Sequence, residues 1–181
     1  MEVVKFDIDG LLVLTPTVYE DERGFFYESF NQERFNELVG KAVVFKQDNQ
    51  SLSKKNVLRG FHFQAPPYAQ GKLVRVVKGS VLDIAIDIRK ASPTYGQSVA
   101  VELSAENKKM FWIPEGFAHG FYTLEEDTIF LYKCTNLYHK ASEGDLLWSD
   151  QHFEFHQQFL NPIVSEKDQI ATPFNRFESP F

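Results

Sequence analysis

The chain has 181 residues, a formal net charge of −6 at pH 7, 43% hydrophobic residues and 15% aromatic residues. This length suffices for one well-buried domain and is short for two, so we expect a single domain over residues 1–181. The acidic balance argues against general binding to nucleic acid or to anionic membranes, because both require a basic surface. Any phosphate group that binds here must therefore meet a local cluster of arginine or lysine side chains.

The chain contains one cysteine, Cys134, which excludes an internal disulfide and a four-cysteine zinc site. A reducing cytoplasm is the expected location. The first residues show no basic segment followed by a long apolar stretch, and no run approaches the roughly 18 apolar residues of a membrane span. Neither secretion nor membrane insertion is predicted.

The first predicted elements are a hairpin and a short helix. Strand-like runs over residues 3–8 and 11–14 flank Asp9-Gly10, a preferred hairpin dipeptide. Asn31 is a good N-cap and Gly40 can end a helix, so we expect one or two helical turns between them.

The clearest strand pattern is the alternation over residues 81–88, where one face is apolar and the other carries Asp83 and Asp87. Gly79-Ser80 predicts a tight hairpin with a strand over residues 72–78. Further strands are predicted over residues 24–30, 97–103, 110–114 and 128–135. No strand is followed by the helical crossover that parallel pairing needs, so we expect an all-β jelly roll or barrel. For residues 150–160, helix and strand remain equal alternatives.

His62 lies in the most informative run, Val57–Gln64, which reads as a strand but carries Arg59 and His62 among apolar residues. Strict alternation places Arg59 and His62 on opposite faces. Gly60 between them predicts a bulge that could turn Arg59 toward the same cavity. The structural alternative is a core histidine bonded to a backbone carbonyl.

Other polar residues also occur in apolar strands and together predict a polar reaction chamber inside the barrel; they are Gln47, Asn49, Lys72, His119 and Tyr132. Lys72 shares a strand face with two valines, so it would place a fixed positive charge in the chamber, unless it merely snorkels at the strand end. Tyr132 shares a face with Phe130 and Cys134. It is either a core tyrosine or an acid facing His62.

Phosphate and metal ions call for different ligands. Arg23 and Arg59 are the best phosphate ligands, because a guanidinium group makes forked, charge-assisted bonds to phosphate. A metal site of the His-x-His type would need a second histidine where Gln64 stands, and no glutamate follows within the next thirty residues. We therefore expect no metal.

Several segments of the chain, taken in the order in which they occur, resemble the dTDP-4-dehydrorhamnose 3,5-epimerase family of dTDP-L-rhamnose synthesis. The resemblance covers nearly the whole chain and includes the motif Val57-Leu-Arg-Gly-Phe-His-Phe-Gln64. The other matching segments are residues 21–30, 47–51, 72–79, 83–89 with 92–96, 113–121, 132–136 and 165–168. The sequence departs from the family pattern at residues 148–151 and 155–158.

This resemblance implies a cupin-type jelly roll, a homodimer, no cofactor, and a dTDP-linked 4-keto-6-deoxyhexose as substrate. It also implies that His62 is the base that removes the protons beside the C4 ketone, paired with Asp168. Lys72 would stabilise the enolate oxygen, and Tyr132 would deliver the proton from the other side. The remaining implied residues contact the substrate, with Tyr138 stacking on thymine; they are Arg23, Glu28, Gln47, Asn49, Arg59, His119, Tyr138, Glu143 and Lys167.

Three alternatives stay open at this point. The first is an epimerase that inverts only C3 or C5, or that acts on a related nucleotide sugar. The second is a non-catalytic cupin that binds a nucleotide sugar. The third is a metal-dependent cupin oxygenase.

Overall fold

The structure, a computed structural model, describes residues 1–181. Short strands make up most of its regular structure. The strands are β1 (Glu2–Lys5), β2 (Leu12–Thr15), β3 (Tyr19–Asp21), β4 (Gly24–Phe26), β5 (Gln47–Ser53), β6 (Val57–Gln64), β7 (Lys72–Lys78), β8 (Ser80–Asp87), β9 (Ser98–Ser104), β10 (Met110–Ile113), β11 (Phe117–Thr123), β12 (Thr128–Cys134), β13 (Glu143–Asp145) and β14 (Ile163–Val164). The helices are α1 (Gln32–Val39), α2 (Glu166–Gln169) and short 3-10 helices over Lys140–Ser142, Glu154–Gln158 and Phe174–Arg176.

Two sheets hold almost all of these strands. Sheet I has the order β1-β2-β10-β7-β12-β5, and sheet II has the order β13-β6-β11-β8-β9 with β14 beside β6. Strands β3 and β4 form a separate hairpin. Every pairing is antiparallel except that of β14 with β6. The predicted all-β architecture with a few short helices is confirmed.

The predicted hairpin after residue 78 is wrong. Strand β7 lies in sheet I and β8 in sheet II, so the chain crosses between sheets at Gly79 instead of turning back beside itself. Gly79 has a positive φ of 76°, which favours glycine at this corner. The strand predicted over residues 24–30 is also shorter than expected, because β4 ends at Phe26.

The short helix is as predicted. The Asn31 side chain accepts a hydrogen bond from the backbone N–H of Arg34, and Gly40 ends α1 in the left-handed conformation. Phe35 is buried and lies edge-on to Trp112, with the two ring centroids 5.1 Å apart. The helix thus covers the outer face of sheet I.

The main core lies between the two sheets. It joins residues such as Val74 and Phe130 of sheet I to Val81, Ala85 and Phe121 of sheet II. The acid-bearing face of β8 points into this interior and not to solvent, because Asp83 and Asp87 are fully buried.

The C-terminal segment covers the outer face of sheet II. Residues 150–160 are mostly turns around the 3-10 helix Glu154–Gln158, so neither helix nor strand describes them fully. Phe153, Phe155 and Phe159 are buried in this layer. Strand β14 then runs parallel to β6, with Ile163 opposite Val57. None of the helices has the length and apolar character that crossing a membrane would require.

We expect the ionisation of Asp87 to make the free energy of unfolding depend on pH. Burial alone would raise its pKa, but hydrogen bonds from Arg89, Ser92 and Thr94 hold the pKa at about 2. A lowered pKa stabilises the fold above about pH 4 by about 2 kcal/mol, and this contribution is lost as the pH falls toward 2. The free energy of unfolding, measured with urea, should fall more steeply over this pH range for the wild type than for Asp87→Asn. Equal pH dependence of the two proteins would contradict this assignment.

Candidate active site

A cavity of about 540 Å³ opens between the two sheets at one end of the core. Phe121 and Phe130, which belong to the core, also line it; their rings stack with centroids 4.1 Å apart. The cavity brings together seven of the predicted site residues, namely Arg59, His62, Lys72, His119, Tyr132, Lys167 and Asp168. The polar chamber predicted inside the barrel is therefore present.

A bulge in β6 turns Arg59 and His62 toward this cavity. His62 pairs with His119 on β11 and Arg59 pairs with Phe121, so β6 has one more residue in this interval than β11. Gly60 has a φ of 136°, and a Cβ atom there would lie 2.5 Å from the β11 backbone. The bend predicted at this glycine is confirmed. Without it, Arg59 would face away from the site.

His62 forms a close pair with Asp168. Its Nε2 atom lies 2.6 Å from Asp168 Oδ1, and the side chains are 29% and 5% exposed, respectively. Helix α2 carries the aspartate, and the hydroxyl of Ser165 caps this helix by accepting the N–H of Asp168 at 3.2 Å. Burial would raise the pKa of Asp168, but the hydrogen bond from His62 and the charge of its imidazolium form bring the pKa below the usual value. The carboxylate is thus ionised and can hold a proton on Nε2.

A second histidine–aspartate pair lies deeper. His119 Nε2 is 2.9 and 3.0 Å from the two carboxylate oxygens of Asp83, and both residues are buried. Burial lowers the pKa of His119, although Asp83 opposes the shift. We interpret His119 as a neutral, oriented hydrogen-bonding group beside His62.

Lys72 and Tyr132 belong to sheet I and therefore face the histidines from the opposite wall. Burial lowers the pKa of Lys72, while the nearby groups of Cys134, Asp83 and Glu143 oppose that effect. Burial raises the pKa of Tyr132, and the electrostatic effect of the nearby Cys134 raises it further. Its phenol is therefore protonated at neutral pH and able to donate a proton.

A second cavity of about 340 Å³ adjoins the first. Three residues of the first cavity line it, His62, Lys72 and Tyr132, together with four further predicted site residues, Gln47, Asn49, Tyr138 and Glu143. The Tyr138 hydroxyl donates to Glu143 at 3.1 Å, and Lys167 Nζ lies 2.7 Å from the same carboxylate. The Tyr138 ring is 55% exposed, so one face is open to a flat ligand.

Arg23 and Glu28 are the two predicted site residues that lie outside both cavities. Arg23 is at the turn of the β3–β4 hairpin and pairs with Asp21, with the Arg23 side chain 85% exposed. Glu28 pairs with Arg34 on α1. No group of three or more His, Cys, Asp or Glu side chains is placed to hold a metal ion.

The polar residues of the cavity region that the sequence did not reveal include Asp83 and Ser51. Asp83 was assigned to an acidic strand face, but alternation alone could not show that this face looks into the interior. Ser51 lines the first cavity from β5. Ser51 shares one face of the strand with the predicted site residues Gln47 and Asn49, and this shared face could have identified it.

Known proteins resemble this chain over most of its length. A model of the dTDP-4-dehydrorhamnose 3,5-epimerase family matches residues 5–176. The chain belongs to this family. The dTDP-4-dehydrorhamnose 3,5-epimerase of Salmonella typhimurium is 58% identical to this member over 172 residues, which are 94% of each chain.

Solved structures of the epimerase family also superpose on the chain. The dTDP-6-deoxy-D-glucose-3,5-epimerase RmlC of Legionella pneumophila, in complex with dTDP-4-keto-L-rhamnose, is 47% identical with a TM-score of 0.93, covering 98% of this chain and 94% of that one. ChmJ, a 3'-monoepimerase of Streptomyces bikiniensis in complex with dTDP-quinovose, is 26% identical with a TM-score of 0.85, covering 94% and 87%. The cupin-type jelly roll is confirmed.

Proposed function

We propose that this protein epimerises dTDP-4-dehydro-6-deoxy-D-glucose at C3 and C5, giving dTDP-4-dehydro-L-rhamnose for dTDP-L-rhamnose synthesis. One observation carries the proposal: an imidazole on sheet II faces an ammonium group and a phenol on sheet I across a single cavity. The relatives at 58% and 47% identity are named for both carbons, whereas the monoepimerase is 26% identical. This difference favours two inversions.

The base in this proposal is His62. Asp168 accepts the hydrogen bond from Nε2, which leaves Nδ1 unprotonated and free to take a proton from carbon. The protons at C3 and C5 are acidic because each carbon is next to the C4 ketone. After transfer, the imidazolium is stabilised by the Asp168 carboxylate.

Sheet I, the wall opposite His62, supplies a positive charge and a proton donor. Lys72 would stabilise the negative oxygen of the enolate that forms when either proton leaves. Tyr132 would return a proton to the same carbon from the face opposite His62. Removal and return of a proton on opposite faces inverts that carbon, and the proposed steps use only side chains of this chain.

In this proposal the nucleotide occupies the second cavity and the adjoining part of the first. Tyr138 offers an exposed ring for thymine, and Lys167 and Arg59 supply positive charge for the diphosphate. The overall charge of −6 makes these local cations important. Binding of nucleic acid or a membrane surface is not proposed.

Proton NMR in deuterated water tests the reaction. With dTDP-4-keto-6-deoxyglucose, we expect the C3 and C5 proton signals to disappear as solvent deuterium enters both positions. Exchange at one carbon would favour a single-site epimerase. Exchange at neither carbon would favour the non-catalytic binding protein.

We also propose a homodimer. The β3–β4 hairpin exposes Tyr19, Phe25 and Phe26, which are 65%, 60% and 70% accessible. Strand β5 ends sheet I and leaves an edge that can pair with another chain. A second copy would also explain how Arg23 and Glu28 reach a substrate, because neither lines the first or the second cavity of its own chain.

Light scattering should give the mass of a dimer for the wild type, and Phe26→Asp should shift the protein toward the monomer. Ile170→Asp is the matched control, because Ile170 is also exposed, at 85%, but lies outside the hairpin. A monomeric wild type, or equal effects of the two substitutions, would contradict this interface. The cytoplasmic location stays a prediction and is consistent with the free thiol of Cys134.

A further inference from the structure

Tyr138 lies in a segment that is neither strand nor helix. Residues 135–139 connect β12 to the next 3-10 helix and belong to no regular element. The backbone N–H and C=O groups of such a segment must find their hydrogen bonds elsewhere. The N–H of Tyr138 donates to Gln47 Oε1 at 2.9 Å, so here a glutamine side chain does what a neighbouring strand would do in a sheet.

Gln64, the last residue of β6, bonds the backbone on both sides of Tyr138. Its Nε2 donates to the carbonyl of Leu137 at 3.2 Å, and its Oε1 accepts the N–H of His139 at 2.8 Å. Nε2 also donates to the carbonyl of Tyr68 at 2.6 Å. Gln64 is buried, and its amide has the orientation that matches two acceptors and one donor. A side chain without an amide would leave these backbone groups without the bonds that fix them.

The hydroxyl end of the Tyr138 ring is held from the same place. Glu143 on β13 is the cross-strand partner of Gln64, and its carboxylate accepts the Tyr138 hydroxyl at 3.1 Å. One cross-strand pair therefore holds this tyrosine by its backbone and by its hydroxyl. The exposed ring between these two points has a defined position and direction.

Strand β6 joins this arrangement to the proposed base. His62 precedes Gln64 by two residues, and both side chains line the second cavity. Because a strand rises about 3.3 Å per residue, β6 is a spacer of about 7 Å between the imidazole and the amide. The strand that carries the base thus also sets where the Tyr138 ring lies.

We propose that Gln64 is a positioning residue for nucleotide binding, which holds the Tyr138 ring where it stacks on the thymine of the substrate. Gln64 acts through the backbone of residues 137–139 and needs no contact with the substrate. This inference rests on the proposed function. It extends that function by naming the side chain that links the nucleotide end of the site to the strand of the base.

The first test measures binding of dTDP to Gln64→Met, in which the side chain keeps its length but loses the amide. We expect the Kd for dTDP to rise about tenfold, because stacking of a base on an aromatic ring contributes at least about this factor. KM for the 4-keto sugar should rise with it while kcat stays unchanged, because Gln64 makes no bond to His62 or Asp168. An unchanged Kd, or a lower kcat with an unchanged Kd, would overturn the inference and make Gln64 merely structural.

Gln32→Met is the matched control. Gln32 on α1 also donates two hydrogen bonds through its amide, to Asn36 Oδ1 at 2.9 Å and to the carbonyl of Val43 at 2.7 Å, and it lines neither cavity. Its replacement should lower the unfolding temperature and leave Kd and KM unchanged. An equal rise in Kd for Gln32→Met would overturn the inference, because lost stability would then explain both variants.

A second variant, Gln64→Asn, covers the case in which Gln64→Met does not fold. It keeps the amide but is one methylene shorter, so the amide cannot reach the backbone on both sides of Tyr138 at once. Its Kd for dTDP should also rise while its kcat stays unchanged. A folded Gln64→Asn protein with the wild-type Kd would overturn the inference.

The second test asks whether Gln64 acts through Tyr138. Tyr138→Ala should raise the Kd for dTDP about tenfold, and adding Gln64→Met to it should raise the Kd no further. Fully additive effects would overturn this inference alone. Wild-type affinity in Tyr138→Ala would overturn the stacking assignment and this inference together. Binding of dTDP needs no turnover, so a wild type without exchange at C3 and C5 would overturn the proposed reaction, and the dTDP affinities would still decide the role of Gln64.

Discussion

Replacing His62 with asparagine is expected to abolish solvent exchange at both sugar carbons. The proposed mechanism uses one base for both inversions, so neither carbon should retain activity. General base catalysis contributes about 10²- to 10⁴-fold to a rate, and we expect a loss near the upper end, because the Asp168 carboxylate at 2.6 Å would lose its imidazolium partner. Deuterium incorporation at C3 and C5, followed by NMR, measures each loss separately.

The matched control for this substitution is His156→Asn. His156 lies on the 3-10 helix Glu154–Gln158 and lines neither cavity. Its replacement should leave exchange at both carbons intact. The His62→Asn protein should still bind dTDP, since His62 is not among the residues proposed to hold the nucleotide. Full exchange at either carbon in His62→Asn would show that a different group, with His119 the nearest candidate, serves as the base there.

Replacing Lys72 with methionine should lower kcat by about 10²- to 10³-fold, which is the usual cost of removing one group that stabilises a developing oxyanion. Methionine keeps the length of the side chain and removes only the charge. Lys78→Met is the matched control, because Lys78 lies on the same strand but is exposed and pairs with Asp127. Steady-state kinetics with the 4-keto sugar distinguishes the two variants.

Lys72 also predicts how the rate depends on pH. Burial lowers its pKa from the ordinary value of 10.5, so the ammonium group loses its proton at a lower pH than a free lysine does. The wild-type rate should therefore decline on the alkaline side before pH 10.5, and Lys72→Met should lack this decline. The pKa of Tyr132 is raised from its ordinary value of 10.0 by burial, so the Lys72→Met variant is what separates the two groups. A Lys72→Met enzyme with wild-type kcat would remove the lysine from the mechanism.

The sequence allowed the positions on regular strands to be predicted well. Lys72 and Tyr132 lie on β7 and β12, where simple alternation holds, so their inward direction followed from their apolar neighbours. His62 and Arg59 required the bulge at Gly60 as well. Glycine inside a strand was a sufficient signal for it.

Features that depend on distant parts of the chain were harder to predict. Gly79-Ser80 has the local chemistry of a hairpin, but local chemistry does not say whether the next strand joins the same sheet. The aromatic residues of 150–160 show no period, because they pack as irregular turns over sheet II. Asp168 was assigned only through the family resemblance, since no spacing rule connects it with His62.

The position of Asp168 has a consequence for synthesis of the enzyme. It follows His62 by 106 residues and is placed by β14 and α2, which dock on β6 after the sheets are complete in chain order. A chain grows from its N-terminus, so both walls of the cavity leave the ribosome before the carboxylate that orients the base. Chains that terminate early would thus build the barrel without its histidine–aspartate pair, and activity would report that synthesis had passed α2.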